Sequence, residues 1–444
     1  MHGKRAMRLI LPALAALAWL PPGATPVLAR AEMSVADALR GEIGARAPKE
    51  LRGFYAARGN HPLWFDANGQ PLPAASELLD QLFTASADGL NPRKLKFGEV
   101  AKAFERAESG RMDDMARAEI ALSRSLSAYV QALRSAPRAP MLYESAALAP
   151  AVPTAAAVLD AAAAAPSLDR WVAGMGWMHP FYAPLRTALA SPGYSSDQRR
   201  TLAINLERVR ALPVYASGRS VVIDAASARL WMFDGPRAVD SMRVVVGKVE
   251  TQTPIMAGFL RSAIANPYWN LPDDLAYSRV TEKVLASGPG YIAANRFQVL
   301  ASWDDNAPVL DPRKIDWRAV AAGTQTIRAR QLPGPGNFMG RVKFLFPNPQ
   351  GIYLHDTPER DLLTRDARHF SNGCVRLEDA ARLGRWLLGR PLPKDTRTPE
   401  QRIDLPELVP IHITYLTALP ENGRIVFRPD VYGRDGAGAV LASR

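Results

Sequence analysis

The spacing of apolar residues changes character near Ser217, and that change restricts the chain to a helical unit followed by a β-rich one. Before it, Leu122, Leu126, Tyr129 and Leu133 recur at i, i+4, i+7 and i+11, the period of one buried helix face. Leu78, Leu79, Leu82 and Phe83 form a second stripe, with Ser76 the expected cap and Asp88-Gly89 the stop. A further helix is expected through Leu202, Leu206 and Val209, ending before Pro213. After Ser217 the texture is that of strands. Ser220 to Asp224 and Arg229 to Phe233 flank a turn at Ala225 to Ala228, and Met242 to Val246 ends at Gly247. Strands are also expected at Lys343 to Phe346, Gly351 to Leu354 and Ile411 to Leu416, and a helix after Glu378.

At 444 residues the chain has room for two or three domains. The pattern divides it into a helical region at 32–200, a linker helix at 201–217, a β-rich region at 218–428 and a loose tail at 429–444, an α+β fold. The alanine-rich stretch 145–166, with prolines at 150, 153 and 166, reads as a loop or marginal helix, and Ser191 to Ser196 as a turn-rich connector. Gly247-Lys248 is not a phosphate loop, because neither the upstream glycine nor a following Ser or Thr is present.

Residues 1–31 read as a secretory signal peptide. Lys4, Arg5 and Arg8 precede an apolar run from Leu9 to Leu20, and Ala29-Arg30-Ala31 supplies a small-x-small cleavage site. An exported, periplasmic protein is expected. Its net charge falls from +12 to about +8 once the four basic residues of that segment are removed. A basic exported protein suits anionic wall polymers and membrane surfaces, although solubility alone accounts for the charge equally well. Export and the absence of any nucleic-acid-binding motif argue against a nucleic-acid partner.

The chain has one cysteine, Cys374, in a compartment where paired cysteines become disulfides. A lone thiol there is either inert and buried or kept for its chemistry. Around it runs Tyr353-Leu354-His355-Asp356-Thr357, then Ser371-Asn372-Gly373-Cys374-Val375-Arg376. The thiolate is the nucleophile, and a histidine within reach can take its proton and return it to a leaving amine. His355 follows a strand, and the Ser-Asn-Gly turn offers backbone N–H groups beside the sulfur for an oxyanion. His369 is the rival base. A zinc site from His355, Asp356, His369 and Cys374 fits by ligand type but not by spacing.

His355, eighteen intervening residues and then Ser-x-Gly-Cys-x-Arg resemble the signature of the L,D-transpeptidase (YkuD-type) family. The resemblance extends through Asn205-Leu206-Glu207-Arg208, Val244 to Lys248, Gln252-Thr253-Pro254, Asn266 to Asn270, Gln331 to Gly340, Phe346-Pro347-Asn348 and Asp430 to Gly433. Upstream, Tyr55 to Arg58, Pro62-Leu63-Trp64 and Asp88-Gly89-Leu90 are similar to the helical scaffold domain of the large Gram-negative members. The resemblance implies a scaffold domain plus a catalytic domain with an inserted lid at about 286–340, bounded by Gly288-Pro289-Gly290 and Gly334-Pro335-Gly336.

The activity implied is two-step acyl transfer on peptidoglycan stem peptides. Cys374 attacks the third stem residue, D-alanine leaves, and the amine of a second stem resolves the thioester as a 3→3 cross-link. His355 is then the base, the N–H groups near Gly373 and Cys374 the oxyanion donors, and Ser371 part of their loop. Arg376 holds the loop or a substrate carboxylate, or makes a structural ion pair. Tyr353, Asn372 and Trp269 line the pocket, with core packing the safer role for Trp269. No metal and no cofactor is implied, since a thioester retains acyl energy without ATP.

Two departures stand out. The peptidoglycan-binding domain usual before the Asn-Leu-Glu-Arg helix is replaced by a short connector, and Asn372 stands where many relatives have histidine. Three other readings remain: a hydrolase on the same site, a non-catalytic wall-binding scaffold, and a papain-like protease, in which the cysteine would precede the histidine.

Overall fold

A computed structural model of the chain describes residues 34–135, 139–304, 306–393 and 398–436. The expected signal peptide and the last residues of the expected tail lie outside them. Among the described residues no helix is long and apolar enough to cross a membrane.

The N-terminal region is helical: α1 (Val35–Arg46), α2 (Lys49–Ala57), α3 (Pro73–Phe83), α4 (Phe97–Ala107), α5 (Met112–Arg134), α6 (Ala155–Ala164), α7 (Leu168–Ala173), α8 (Tyr182–Ala190) and α9 (Ser196–Arg210). The four-residue spacing in α5 does what it predicts, burying Leu122, Leu126, Tyr129 and Leu133 completely. Ser76 is not a cap. Pro73 opens α3, its fixed φ suiting the first helical position, so the helix starts earlier than the serine signal implies. Phe83 leaves the stripe and stands exposed. The alanine-rich stretch resolves into α6, capped by the Thr154 hydroxyl on the Ala157 N–H. The connector ends in a capping box between Ser195 and Gln198, which starts α9 at Ser196 rather than 201.

Two buried carboxylates fix this region. Asp88 accepts from the Tyr129 and Tyr182 hydroxyls at 2.7 and 2.8 Å and from Arg186 Nε at 2.9 Å. Glu119 accepts from the Leu63 and Trp64 N–H groups at 2.7 and 3.0 Å and from the Tyr55 hydroxyl at 2.8 Å. The Asp-Gly-Leu and Pro-Leu-Trp motifs are thus anchor points of the helical core.

The strands are β1 (Leu142–Tyr143), β2 (Arg219–Asp224), β3 (Arg229–Asp234), β4 (Arg237–Gly247), β5 (Met256–Ala265), β6 (Trp269–Asn270), β7 (Phe297–Leu300), β8 (Arg328–Gln331), β9 (Val342–Leu345), β10 (Leu354–His355), β11 (His369–Ser371), β12 (Val375–Leu377), β13 (Gln401–Thr414), β14 (Ala418–Glu421) and β15 (Arg424–Phe427). The order β5-β13-β2-β3-β4-β12-β10-β9 closes on itself, because β9 also pairs with β5. Val221, Ile223, Leu230 and Met232 fill its interior, while Val222, Trp231 and Phe233 join the helical core on the other face. Covering on both sides explains why these strands read as continuous apolar runs instead of alternating. Across this junction Phe181 meets Trp231 edge-on at 5.3 Å.

β6, β8 and β7 form a separate small sheet with its own core of Trp269, Val280, Val299, Trp317 and Ala329. This inserted unit begins at Trp269, earlier than the glycine-flanked segment in the sequence, because Trp269 pairs with Gln331. The chain after 428 is not loose as far as Gly436. Tyr432 donates to Gly247 O at 2.5 Å, Arg434 to Gln252 Oε1 at 2.7 Å, and Asp435 meets Arg208 at 2.7 Å. Its glycines mimic a tail; its Asp, Tyr and Arg residues clamp it.

Candidate active site

Tyr353, His355 and Cys374 come together because β10 and β12 run parallel, with Leu354 beside Val375 and His355 beside Arg376. The Val375 N–H donates to Tyr353 O at 3.1 Å, which sets Cys374 alongside Tyr353 at the strand mouth. The two segments, far apart in sequence, open into one cavity of about 520 Å³. Tyr353, His355, Ser371, Asn372, Cys374 and Arg376 all line it, and Trp269 and Phe338 reach it from the inserted unit.

Burial pushes the Cys374 thiol above its ordinary range, and hydrogen bonds from the Tyr353 backbone and hydroxyl and the charge of Arg376 oppose that rise. Tyr353 is itself raised by burial, then by the neighbouring sulfur, so its hydroxyl stays a donor. The sulfur also lies 3.7 Å from Gly351 O, a contact for the resting thiol proton. His355 is held down to about 3 by burial, then by Arg376, so the ring is neutral at working pH. Its Nδ1 lies 2.6 Å from Asp356 O. A carbonyl only accepts, so Nδ1 carries the ring proton toward Asp356 O, and the Phe338 backbone also hydrogen-bonds the ring. Asp356 is fixed in turn by Arg360 at 2.9 Å and the Arg341 N–H at 2.9 Å.

The turn before Cys374 is tied at Ser371 and Gly373. Ser371 Oγ accepts the Gly373 N–H at 3.1 Å and donates to Cys374 O at 2.6 Å. That bond occupies the Gly373 N–H, one of the two donors the resemblance implied for the oxyanion. Gly373 adopts φ +113°, a conformation open to glycine. Its carbonyl accepts from Thr253 Oγ1 at 2.8 Å, and Ser371 O accepts from the Lys248 N–H at 2.9 Å. Gly247 lets this buttress approach, since a Cβ there would lie 2.1 Å from Thr251 O. Lys248, Thr251 and Thr253 were legible in the sequence only as strand and turn; their support of the nucleophile turn was not.

His369 turns away, its Nε2 3.0 Å from Ala225 O and its ring edge-on to Tyr432. Arg376 lines the cavity and makes an ion pair with Glu359, the structural role weighed for it. Trp269 likewise lines the cavity and packs in the small core. Asn372 is exposed at the cavity edge. Among the described residues no group of three or more His, Cys, Asp or Glu side chains is arranged to hold a metal ion.

A thiol beside Tyr353, opening to the same cavity as a neutral imidazole, is equipment for nucleophilic acyl transfer. The comparisons agree with that class. Residues 49–189 match the family described as Scaffold domain, and residues 218–404 the family described as L,D-transpeptidase catalytic domain. The chain thus carries an L,D-transpeptidase (YkuD) catalytic domain with a Scaffold domain ahead of it. A Haemophilus influenzae protein named "Putative L,D-transpeptidase" is 34% identical over 252 residues, 54% of this chain and 49% of that one. The chain thus spans about half the length of the curated relative it matches. A solved L,D-transpeptidase from Mycobacterium smegmatis is 12% identical and covers 44% of this chain and 59% of its own, at a TM-score of 0.23 that supports no structural argument.

Proposed function

We propose that this chain is a periplasmic peptidoglycan L,D-transpeptidase acting through a Cys374 thioester. The observation that carries the reading is the opening of Cys374 and His355 into one cavity, with Nδ1 of His355 held by Asp356 O. His355 takes the thiol proton as the sulfur bonds to the carbonyl carbon of the third stem residue. The oxyanion is met by the Cys374 N–H. As the tetrahedral species collapses, the C–N bond to D-alanine breaks and the imidazolium returns its proton to the leaving amine. The side-chain amine of a second stem then attacks the thioester, loses a proton to His355, and the thiol is restored with a 3→3 cross-link formed.

Neither burial of the thiol nor of the imidazole favours a preformed ion pair, so proton transfer accompanies attack. The inserted unit over the cavity favours an amine acceptor by limiting water. Incubating the protein and a Cys374→Ala variant with tetrapeptide muropeptides tests the reading. Dimers with loss of D-alanine support it, shortened monomers alone assign a hydrolase, and equal turnover by the variant removes Cys374 as nucleophile.

A further inference from the structure

The inserted unit sends one cation into the cavity on an unusual piece of backbone. Asp273–Ala276 and Glu282–Ser287 are α-helical, and between them Tyr277–Thr281 makes a π turn in which the Glu282 N–H reaches Tyr277 O. Such a turn widens the helix and is kept mostly where a side chain must be re-aimed. Here Val280 and Thr281 stay buried in the small core while Arg279 faces the cavity, exposed. Two other cations line the cavity, and both are neutralised: Lys343 by Glu400 at 3.0 Å and Arg376 by Glu359. Arg279 makes no ion pair or hydrogen bond with the described residues. Its guanidinium rests over the Phe338 ring, 5.2 Å from the centroid. An aromatic face is a weak holder for a guanidinium and a carboxylate a strong, bidentate one.

We propose that Arg279 is a specificity-determining residue that receives a free carboxylate of the donor stem peptide. This rests on the transpeptidase reading above and adds to it the residue that selects the substrate's charge. Two carboxylates of the donor share that chemistry, the side-chain carboxylate of the third residue and the C-terminal carboxylate of D-alanine.

The test is binding by calorimetry in a Cys374→Ala background, where no turnover intervenes, using the free tetrapeptide and two versions each amidated at one of those carboxylates. Arg279→Gln should weaken binding of the free peptide about tenfold or more, and Arg279→Lys, which keeps charge but not the fork, by less. Amidating the recognised carboxylate should cost the Arg279 protein the same factor and the Arg279→Gln protein nothing, and that arm identifies the carboxylate. Equal binding with and without Arg279, or losses that add for both amidated peptides, would overturn the proposal while leaving the transpeptidase reading in place. No binding of any tetrapeptide to the Cys374→Ala protein would overturn that reading, and this proposal with it.

Discussion

Ser371 and Cys374 are locked across the nucleophile turn: the serine Oγ donates to the cysteine carbonyl at 2.6 Å while accepting the Gly373 N–H at 3.1 Å. One hydroxyl therefore sets both the direction of the Cys374 backbone and the shape of the glycine beside it. Ser371→Ala removes both bonds from a buried site and leaves the Gly373 N–H unpaired. A stability loss of about 1–3 kcal/mol is expected from urea unfolding, with a fall in the acylation rate of about tenfold or more. Unchanged acylation would show that the turn holds its shape without the clamp.

Tyr353→Phe keeps the ring and removes the hydroxyl from the sulfur. Because that bond holds the thiol down, its loss should raise the Cys374 pKa further. Alkylation by iodoacetamide at pH 7 to 8 should slow by about threefold to tenfold, with the pH profile displaced to higher pH. A displacement to lower pH would contradict the assigned donor role.

Asp88→Ala strips the shared acceptor from Tyr129, Tyr182 and Arg186 and strands the guanidinium of Arg186 in the core. A loss of about 3–5 kcal/mol is expected, read from denaturant midpoints. A loss below about 1 kcal/mol would mean that Arg186 finds water or another partner.

Acid sensitivity has a specific source at the junction of the helical and barrel regions. Burial lowers His412 to about 4 and His179 to about 3, and His355 in the active site to about 3. Each ring is neutral when folded and takes a proton when unfolded below about pH 6.5. Its contribution to stability is therefore complete above that pH and is lost as pH falls toward the folded value. Each adds a slope of about 1.4 kcal/mol per pH unit through that window. Burial raises Glu119 and Asp224, which act in the opposite sense, so the total slope is not a clean readout. His412→Gln can keep the bond from Nε2 to Leu148 O and should flatten the slope by about one proton below pH 6. An unaltered slope would show that His412 titrates alike in both states.

Where local sequence and tertiary position agree, the sequence was a good guide. The Leu122 to Leu133 spacing, the strand pair around Ala225 to Ala228 and the Cys374 and His355 segments all announce themselves in residue type and period. What it concealed depends on distant partners. Trp269 joins the inserted unit through a pairing with Gln331, which no local pattern records. Residues 430–435 look like a tail until Tyr415, Gly247 and Arg208 meet them. The loss of the Gly373 N–H to Ser371 is a matter of rotamer, invisible in a motif. Phe83 shows the converse, an apolar residue at the right spacing that stays exposed beside Phe97.

Whether Cys374 carries the acyl group is read by intact-protein mass spectrometry on the enzyme treated with disaccharide-tetrapeptide muropeptide. The expected adduct equals the disaccharide-tripeptide acyl unit, is located on Cys374 by digestion, is released by hydroxylamine and is absent from Cys374→Ala. An active enzyme that shows no adduct under rapid quench, with Cys374→Ala equally active, would contradict it.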